Sequence, residues 1–196
     1  MLRIGLTGGI GSGKTTIANI FSTLGIPIYD SDQAAKRLMD ENESIREQLI
    51  NQFGTETYKN NRLDRSFLAS IVFNDDQQLQ RINEIVHPAT IQDSIEWFGQ
   101  QNAAYAIKES ALIFESSSER HLDYIIGVWT EEALRIDRVR KRSGLSAAEI
   151  RSRMEKQMEE KQKMNQCQFI IDNNEKESVI KQVFELHQKL LTLSTH

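Results

Sequence analysis

The chain has 196 residues and a formal net charge of −4, with 39% hydrophobic and 27% charged residues. This length allows one hydrophobic core with a small subdomain, and the acidic balance disfavours nucleic acid as the main partner. No apolar run is long enough to span a membrane, and the single cysteine, Cys167, permits no internal disulfide. We therefore expect a cytoplasmic protein with neither a membrane nor a nucleic-acid partner.

The N-terminal sequence predicts a strand, a glycine-rich loop and a helix. Residues 2–7 are apolar at alternate positions, as in a short buried strand, and apolar residues recur at helical spacing from Ile17 to Leu24. Between them, residues 8–15 read GGIGSGKT and fit the pattern G-x-x-x-x-G-K-[ST] at every fixed position. In this context the pattern indicates a phosphate-binding loop, or P-loop.

The residue types of this loop suit a nucleoside triphosphate. Glycines let the backbone approach a phosphate closely, and the loop amides together with the helix N-terminus form an anion site. Lys14 is placed to reach the β- and γ-phosphates, and the Thr15 hydroxyl is placed to ligate Mg²⁺. The predicted nucleotide-binding residues of the loop are Gly9, Gly11, Ser12, Gly13, Lys14, Thr15 and Thr16.

A second strand is predicted at residues 26–29, and the acids Asp30 and Asp32 follow its carboxyl end. Ligands of open α/β sheets bind at the carboxyl ends of the strands. We therefore predict that Asp32 faces the γ-phosphate and acts in catalysis. Either acid can instead cap the next helix, and both roles can hold because there are two acids.

Residues 43–101 show helical apolar stripes and no convincing strand. They predict a helical insertion, at about 41–102, that holds the acceptor substrate. Within it, Arg65 can contact an anionic substrate or form a surface ion pair. His87 precedes Pro88 and is expected either to end a helix or to contact the substrate.

Residues 103–107 predict a third strand, followed by Glu109, and residues 124–129 predict a fourth. Glu109 lies near the position of a second metal-binding acid in P-loop proteins, and whether it or Asp30 binds metal stays open. Glu115, further along, is expected to orient a loop. Thr130 is predicted to cap a helix that runs to Arg142.

Arg135, Arg138 and Arg142 lie on one face of that helix. This face is either solvated or neutralises triphosphate charge. The next helix, from 147 to about 164, has a thin apolar stripe and predicts a mobile lid at about 138–165.

The C-terminal part predicts a fifth strand at residues 169–171, with Cys167 as a buried structural thiol just before it. The last helix is expected to bury an apolar face that contains Val179, Ile180, Val183, Phe184, Leu190 and Leu191. Alternating strands and helices predict one α/β domain with a five-stranded parallel sheet flanked by helices. Its core is expected at about 1–40, 103–137 and 166–196.

Several of these sequence elements together resemble the dephospho-CoA kinase family from end to end. The shared elements are Leu6 to Thr15, Asp30-Ser31-Asp32, Asp64-Arg65-x-x-Leu68 with Val72-Phe73, His87-Pro88, an apolar strand at 112–115 ending in Glu115, Arg138 and Arg142 with Gln157, and Ile171-Asp172-Asn173. The chain departs from the family at Ala111, where a proline is usual, and at Glu132 and Arg135, where proline and glutamine are usual.

The resemblance implies a P-loop kinase that transfers the γ-phosphoryl group of ATP to the 3′-hydroxyl of dephospho-CoA, with Mg²⁺. The implied catalytic residues are Lys14, Asp32, Arg138 and Arg142; Arg142 and Asn173 bind ATP, and Asp32, Arg65 and His87 bind the acceptor. Another kinase of this fold, for a nucleoside monophosphate or a similar acceptor, and a nucleotide-dependent switch are the alternatives. The sequence leaves open the oligomeric state and the role of Arg135.

Overall fold

The computed structural model describes residues 1–72 and 75–195, so Phe73, which belongs to one of the family elements, lies outside the described residues. The chain forms two compact units. The sheet unit comprises Met1–Asp30 and Phe98–His196, and the helical unit comprises Ser31–Trp97. No helix of the described residues has the length and apolar character that a membrane crossing requires.

The helices and strands follow one another in a fixed order. They are β1 (Leu2–Thr7), α1 (Lys14–Thr23), β2 (Ile28–Asp30), α2 (Ser31–Glu41), α3 (Glu43–Phe53), β3 (Tyr58–Lys59), β4 (Arg62–Leu63), α4 (Arg65–Val72), α5 (Asp76–Gly99), β5 (Tyr105–Glu109), β6 (Tyr124–Trp129), α6 (Glu132–Ser143), α7 (Ala147–Glu155), α8 (Glu160–Asn165), β7 (Phe169–Asp172) and α9 (Val179–Leu193). Short 3₁₀ turns precede β3 and β6.

The sheet unit contains the predicted five-stranded sheet, in the order β2-β5-β1-β6-β7, and every neighbouring pair is parallel. The predicted fold class is therefore confirmed. Parallel strands place their carboxyl ends at one edge of a sheet. In the register, Glu109 at the end of β5 pairs with Leu6 on one side and with Asp30 on the other. The phosphate loop, Asp30 and Glu109 thus lie at the carboxyl ends of three neighbouring strands.

The core of the sheet unit contains apolar side chains of the sheet, α1 and α9. Val183 and Leu190 of α9 are fully buried. Ile180 and Phe184, which were expected on the same face, are 65% and 53% exposed. Each helical residue turns by about 100°, so the narrow stripe that contacts the core excludes Phe184, one residue after Val183.

Three further predictions for the sheet unit need correction. β2 begins at Ile28, because Pro27 has no N–H to donate and Ile26 N–H donates to Phe21 O instead of to the sheet. Residues 112–115, expected as a strand, form turns in which Ser116 N–H donates to Leu112 O. The helix predicted from 147 to 164 is divided into α7 and α8, because the side chain of Glu159 accepts from the first amides of α8 and starts a new helix there.

The helical unit has its own apolar core, in which Ile45 and Leu49 of α3 are almost fully buried. It also contains the antiparallel hairpin of β3 and β4, although no strand was expected here. Asn60 and Asn61 form its turn with positive φ values of 50° and 63°. Asparagine tolerates this left-handed conformation, and paired residues of this kind form two-residue hairpin turns.

The prediction that a helix ends at His87-Pro88 is wrong, because Pro88 lies inside α5, which has 24 residues and ends at Gly99. Its buried positions recur on both sides of the proline, from Ile82 and Val86 to Thr90. The Thr90 hydroxyl donates to Val86 O at 2.9 Å. Packing on one continuous face therefore outweighs the one backbone donor that the proline lacks.

Candidate nucleotide site

The loop between β1 and α1 has the backbone conformation of an anion site. Gly13 precedes α1 with a φ of 92°, which a residue with a Cβ rarely adopts. The first backbone hydrogen bond of the helix runs from Ile17 N–H to Gly13 O. The earlier amides of α1 thus precede the helical hydrogen bonds and are positioned for a phosphate.

Lys14 closes over this loop. Its Nζ donates to Gly8 O at 2.9 Å and lies 3.4 Å from Gly9 O. Within the loop, Ser12 N–H donates to Gly9 O, and the Ser12 hydroxyl is buried without a partner among the described residues. The loop therefore contains a lysine bound to its own backbone and a buried hydroxyl that can still form a hydrogen bond.

The carbonyl of Ser12 is held by two residues from other parts of the sheet unit. Thr130 Oγ1 donates to it at 3.0 Å, and Asn173 Nδ2 donates to it at 2.8 Å. The prediction that Thr130 caps α6 is wrong, because Glu131 occupies that position and the Thr130 hydroxyl is used on the loop. Asn173, predicted as an ATP-binding residue, contacts the loop backbone.

The three arginines of α6 lie in different environments. Arg138 Nη2 donates to Asn173 O at 3.0 Å, whereas its Nη1 is buried and has no partner within the described part of the chain. Arg142 is exposed in the last turn of α6. Arg135 is buried in an ion pair with Glu160 at 3.0 Å. The three therefore do not form one solvated basic face.

A hydroxyl and a carboxylate meet at the start of α1. Thr15 Oγ1 donates to Glu109 Oε1 at 2.9 Å. Hydroxyl and carboxylate oxygens are ligands that Mg²⁺ prefers, and a protein often supplies only one or two of them. The donor set therefore fits the ion, although the described residues contain no cluster of three or more potential ligands of the His, Cys, Asp and Glu types.

The segment between α7 and α8, residues 156–159, lies against the first half of the loop. Gln157 Oε1 accepts from Ile10 N–H at 3.1 Å. Glu160, the first residue of α8, accepts from Gly9 N–H at 3.2 Å. Sequence reasoning noted Gln157 only as a family residue and missed Glu160. The contact joins residues that are 151 positions apart, so no local pattern signals it.

A buried ion pair holds the same segment from its other side. Lys163 of α8 is fully buried, and its Nζ donates to Ala111 O at 2.7 Å and to Glu115 Oε1 at 2.9 Å. Glu115 Oε1 also accepts from Met158 N–H at 2.8 Å. Glu115 therefore fixes residues 156–159 to the turn after β5.

Three predicted site residues belong to the helical unit. Asp32 is exposed in the first turn of α2. Arg65, at the start of α4, is exposed and pairs with Asp40 at 2.7 Å, so it takes the surface pair that was one of its two alternatives. His87 is half-buried in the middle of α5.

Burial changes the acidity of two groups in the sheet unit. It lowers the pKa of the Lys108 ammonium, next to Glu109 in β5, to about 8. It raises the pKa of the Cys167 thiol to about 12. A thiol with so high a pKa is a poor nucleophile at neutral pH, although Cys167 is half-buried and not fully buried as expected.

A family model of dephospho-CoA kinase matches residues 2–178. The chain belongs to the dephospho-CoA kinase family. Among curated relatives, dephospho-CoA kinase of Porphyromonas gingivalis is 39% identical over 154 residues, which cover 79% of this chain and 76% of that protein. Dephospho-CoA kinase of Bacteroides fragilis is 30% identical over 186 residues, which cover 94% and 91%. The predicted family is confirmed, and the enzyme class, an ATP-dependent kinase, is confirmed with it.

Solved structures agree with this family. TT1252 from Thermus thermophilus has a TM-score of 0.82 at 30% identity, with 96% of both chains covered. Dephospho-CoA kinase from Campylobacter jejuni has a TM-score of 0.70 at 25% identity, with 97% of both chains covered. A shikimate kinase from Bacteroides thetaiotaomicron, with a TM-score of 0.57 at 17% identity, shares the fold alone.

Proposed function

We propose that the chain transfers the γ-phosphoryl group of ATP to the 3′-hydroxyl of the ribose in dephospho-CoA, which forms CoA and ADP. The observation that carries this proposal is the family match over residues 2–178. In the reaction, the hydroxyl oxygen forms a bond to the γ-phosphorus, the bond from that phosphorus to the bridging oxygen breaks, and the hydroxyl proton leaves.

In this proposal the phosphate loop binds the triphosphate of ATP. The amides of Gly11, Ser12, Gly13, Thr15 and Thr16 surround the phosphates, and Gly9, whose amide donates to Glu160, shapes the start of the loop. Lys14 then moves its ammonium from the carbonyl of Gly8 to the β- and γ-phosphates. The left-handed Gly13 at the start of α1 supports this role, because it leaves the first helical amides to an anion.

Mg²⁺ fits the same end of the loop. Thr15 and Glu109 would hold the ion, since their oxygens already meet at 2.9 Å. Bound there with ATP, the ion would neutralise phosphate charge. Asp30, the register neighbour of Glu109, is a further candidate ligand.

The remaining charges of the reaction are assigned to acids and arginines. Asp32 accepts or orients the proton of the attacking hydroxyl, which suits an exposed carboxylate just after β2. Arg138 and Arg142 offset charge on the transferring phosphoryl group, and the Nη1 of Arg138, which has no partner among the described residues, supports this role. Phosphoryl transfer depends mainly on such positioning and electrostatics.

We further propose that the helical unit binds the acceptor and that Arg65, His87 and Asp32 contact it. For this, Arg65 has to exchange its partly exposed partner Asp40 for a phosphate of dephospho-CoA. Exposed ion pairs contribute little free energy, so this exchange of partners costs little. Asn173 is assigned to the ATP site through its hydrogen bond to the loop.

A coupled assay of ADP release tests the function. ATP and Mg²⁺ are supplied with dephospho-CoA, adenosine or AMP as acceptor, and we expect release that depends on dephospho-CoA alone. Release with AMP would keep a P-loop kinase but reject this acceptor. Binding of GTP in preference to ATP, with only slow hydrolysis, would favour a nucleotide switch instead.

A further inference from the structure

The ion pair of Arg135 and Glu160 lies directly against the backbone of Gly9. Glu160 Oε1 accepts from Gly9 N–H at 3.2 Å, and Glu160 Oε2 lies 3.0 Å from Arg135 Nη1. A Cβ added to Gly9 would collide with both of these side chains. The ion pair therefore occupies the space that a side chain at position 9 would need, and such a side chain would have to displace the pair.

The pair is removed from water, since each of its side chains is only 9% exposed. Both carboxylate oxygens of Glu160 are engaged, one by Gly9 and the other by Arg135. A buried carboxylate beside a triphosphate site repels the ligand unless a cation compensates it. Arg135 provides that cation. Its positive charge is therefore already paired with Glu160 inside the protein.

The hydrogen bond to Gly9 has a neighbour that acts in the same way. Gln157 Oε1 accepts from Ile10 N–H, so two successive loop amides are held by residues 157 and 160. The amides that begin α1 follow Gly13 and are not part of this contact. The contact therefore fixes the first half of the loop and leaves the second half to the phosphates.

We propose that Glu160 is a positioning residue for the phosphate loop and that Arg135 is its charge partner. Glu160 holds the Gly9 amide, and Arg135 cancels the charge of the carboxylate that does so. Neither side chain contacts ATP. The proposal rests on the proposed function in one respect, which is that the loop binds ATP.

The alternative role for Arg135 is that of a direct phosphate ligand, and a pair of variants separates the two. Arg135→Gln restores the usual family residue and leaves Glu160 buried without a cation. We expect it to weaken ATP binding roughly tenfold or more, because the unpaired charge repels the triphosphate. Arg135→Gln combined with Glu160→Gln removes that charge and is expected to restore the Kd to within about threefold of the original protein.

ATP affinity is measured by titration calorimetry with Mg²⁺ and without acceptor, so an error in the proposed acceptor leaves this test unaffected. Arg151→Gln is the matched control, because Arg151 forms an exposed ion pair with Glu132 on the neighbouring helix. We expect no change of Kd in the control. A double variant that binds ATP as weakly as Arg135→Gln would make Arg135 a direct ligand and overturn the proposal.

A second pair of variants tests the proposal if Arg135→Gln does not fold. Glu160→Gln keeps an oxygen that accepts from Gly9 N–H, whereas Glu160→Ala removes it. We expect Glu160→Gln to keep the Kd for ATP within about threefold and Glu160→Ala to raise it roughly tenfold or more, with faster hydrogen exchange of the loop amides only in the alanine variant. Equal Kd and equal exchange in the two variants would overturn the proposal.

Discussion

The ion pair of Lys163 and Glu115 predicts a different loss of stability for each partner, because the two side chains are buried to different extents. Lys163 is 0% exposed, whereas the Glu115 side chain is 20% exposed. Glu115→Ala therefore leaves an ammonium group in the interior with Ala111 O as its remaining acceptor. Loss of one partner of a buried ion pair costs about 3–5 kcal/mol, and Met158 N–H also loses its acceptor.

Lys163→Met is expected to cost less. The carboxylate that remains keeps Met158 N–H and has access to water, so we expect a loss of about 1–3 kcal/mol. For a chain of this size each kcal/mol corresponds to about 2–4 °C in the midpoint of unfolding. The midpoint should therefore fall by roughly 6–20 °C in Glu115→Ala and by roughly 2–12 °C in Lys163→Met.

Urea and thermal unfolding followed by circular dichroism measure both variants and their combination. We expect the double variant to be more stable than Glu115→Ala alone, because it no longer buries a cation without a partner. Lys176→Met is the control, since its pair with Glu131 is exposed and should contribute at most about 1 kcal/mol. Equal losses in the two single variants, or strictly additive losses in the double variant, would refute this reasoning.

Local patterns were sufficient for the parts of the fold that depend on local chemistry. The loop at 8–15 and the strands around it could be predicted because their glycines, Lys14 and apolar alternation lie within a short stretch. The five parallel strands followed from the alternation of strands and helices. The hairpin at 58–63 was missed, although Asn60 and Asn61 carry the signal of a two-residue turn.

The contacts that hold the loop could not be predicted, because they join distant positions. Glu160 reaches Gly9 across 151 residues, and Thr130 reaches Ser12 across 118. Thr130 before two glutamates is a typical helix cap, and tertiary structure gave its hydroxyl another use. The burial of Arg135 likewise depends on a partner that helical spacing cannot reveal.

Three further predictions concern charge. Lys14→Ala and Arg142→Ala should each lower kcat by about 10²–10³-fold in the ADP-release assay, and near-normal turnover in a folded variant would reject the role of that residue. Asp32→Asn should keep the Kd for ATP but lose transfer, whereas lost ATP binding would indicate a metal ligand. Between pH 8 and 10.5 the unfolded chain holds the Lys108 proton that the folded chain has lost, so the free energy of unfolding should rise with pH across this range. Lys108→Met should remove the rise in urea titrations, and an unchanged slope would contradict the burial argument.

The extent of lid motion follows from the contacts of the segment that was predicted to move. A lid that moved as one body from residue 138 to 165 would break the bonds to Gly9 and Ile10, and it would take Ile150 of α7, which is fully buried, away from Ile136 of α6. We therefore expect motion to begin at the exposed connection around Gly144, whose φ of 71° ends α6. Hydrogen exchange of the nucleotide-free protein measures this directly. Amides at 144–146, whose hydrogen bonds lie at the exposed ends of α6 and α7, should exchange faster than Met158 N–H, which is held by Glu115. Exchange at Met158 as fast as around Gly144 would mean that residues 156–159 leave the loop and that the whole segment moves.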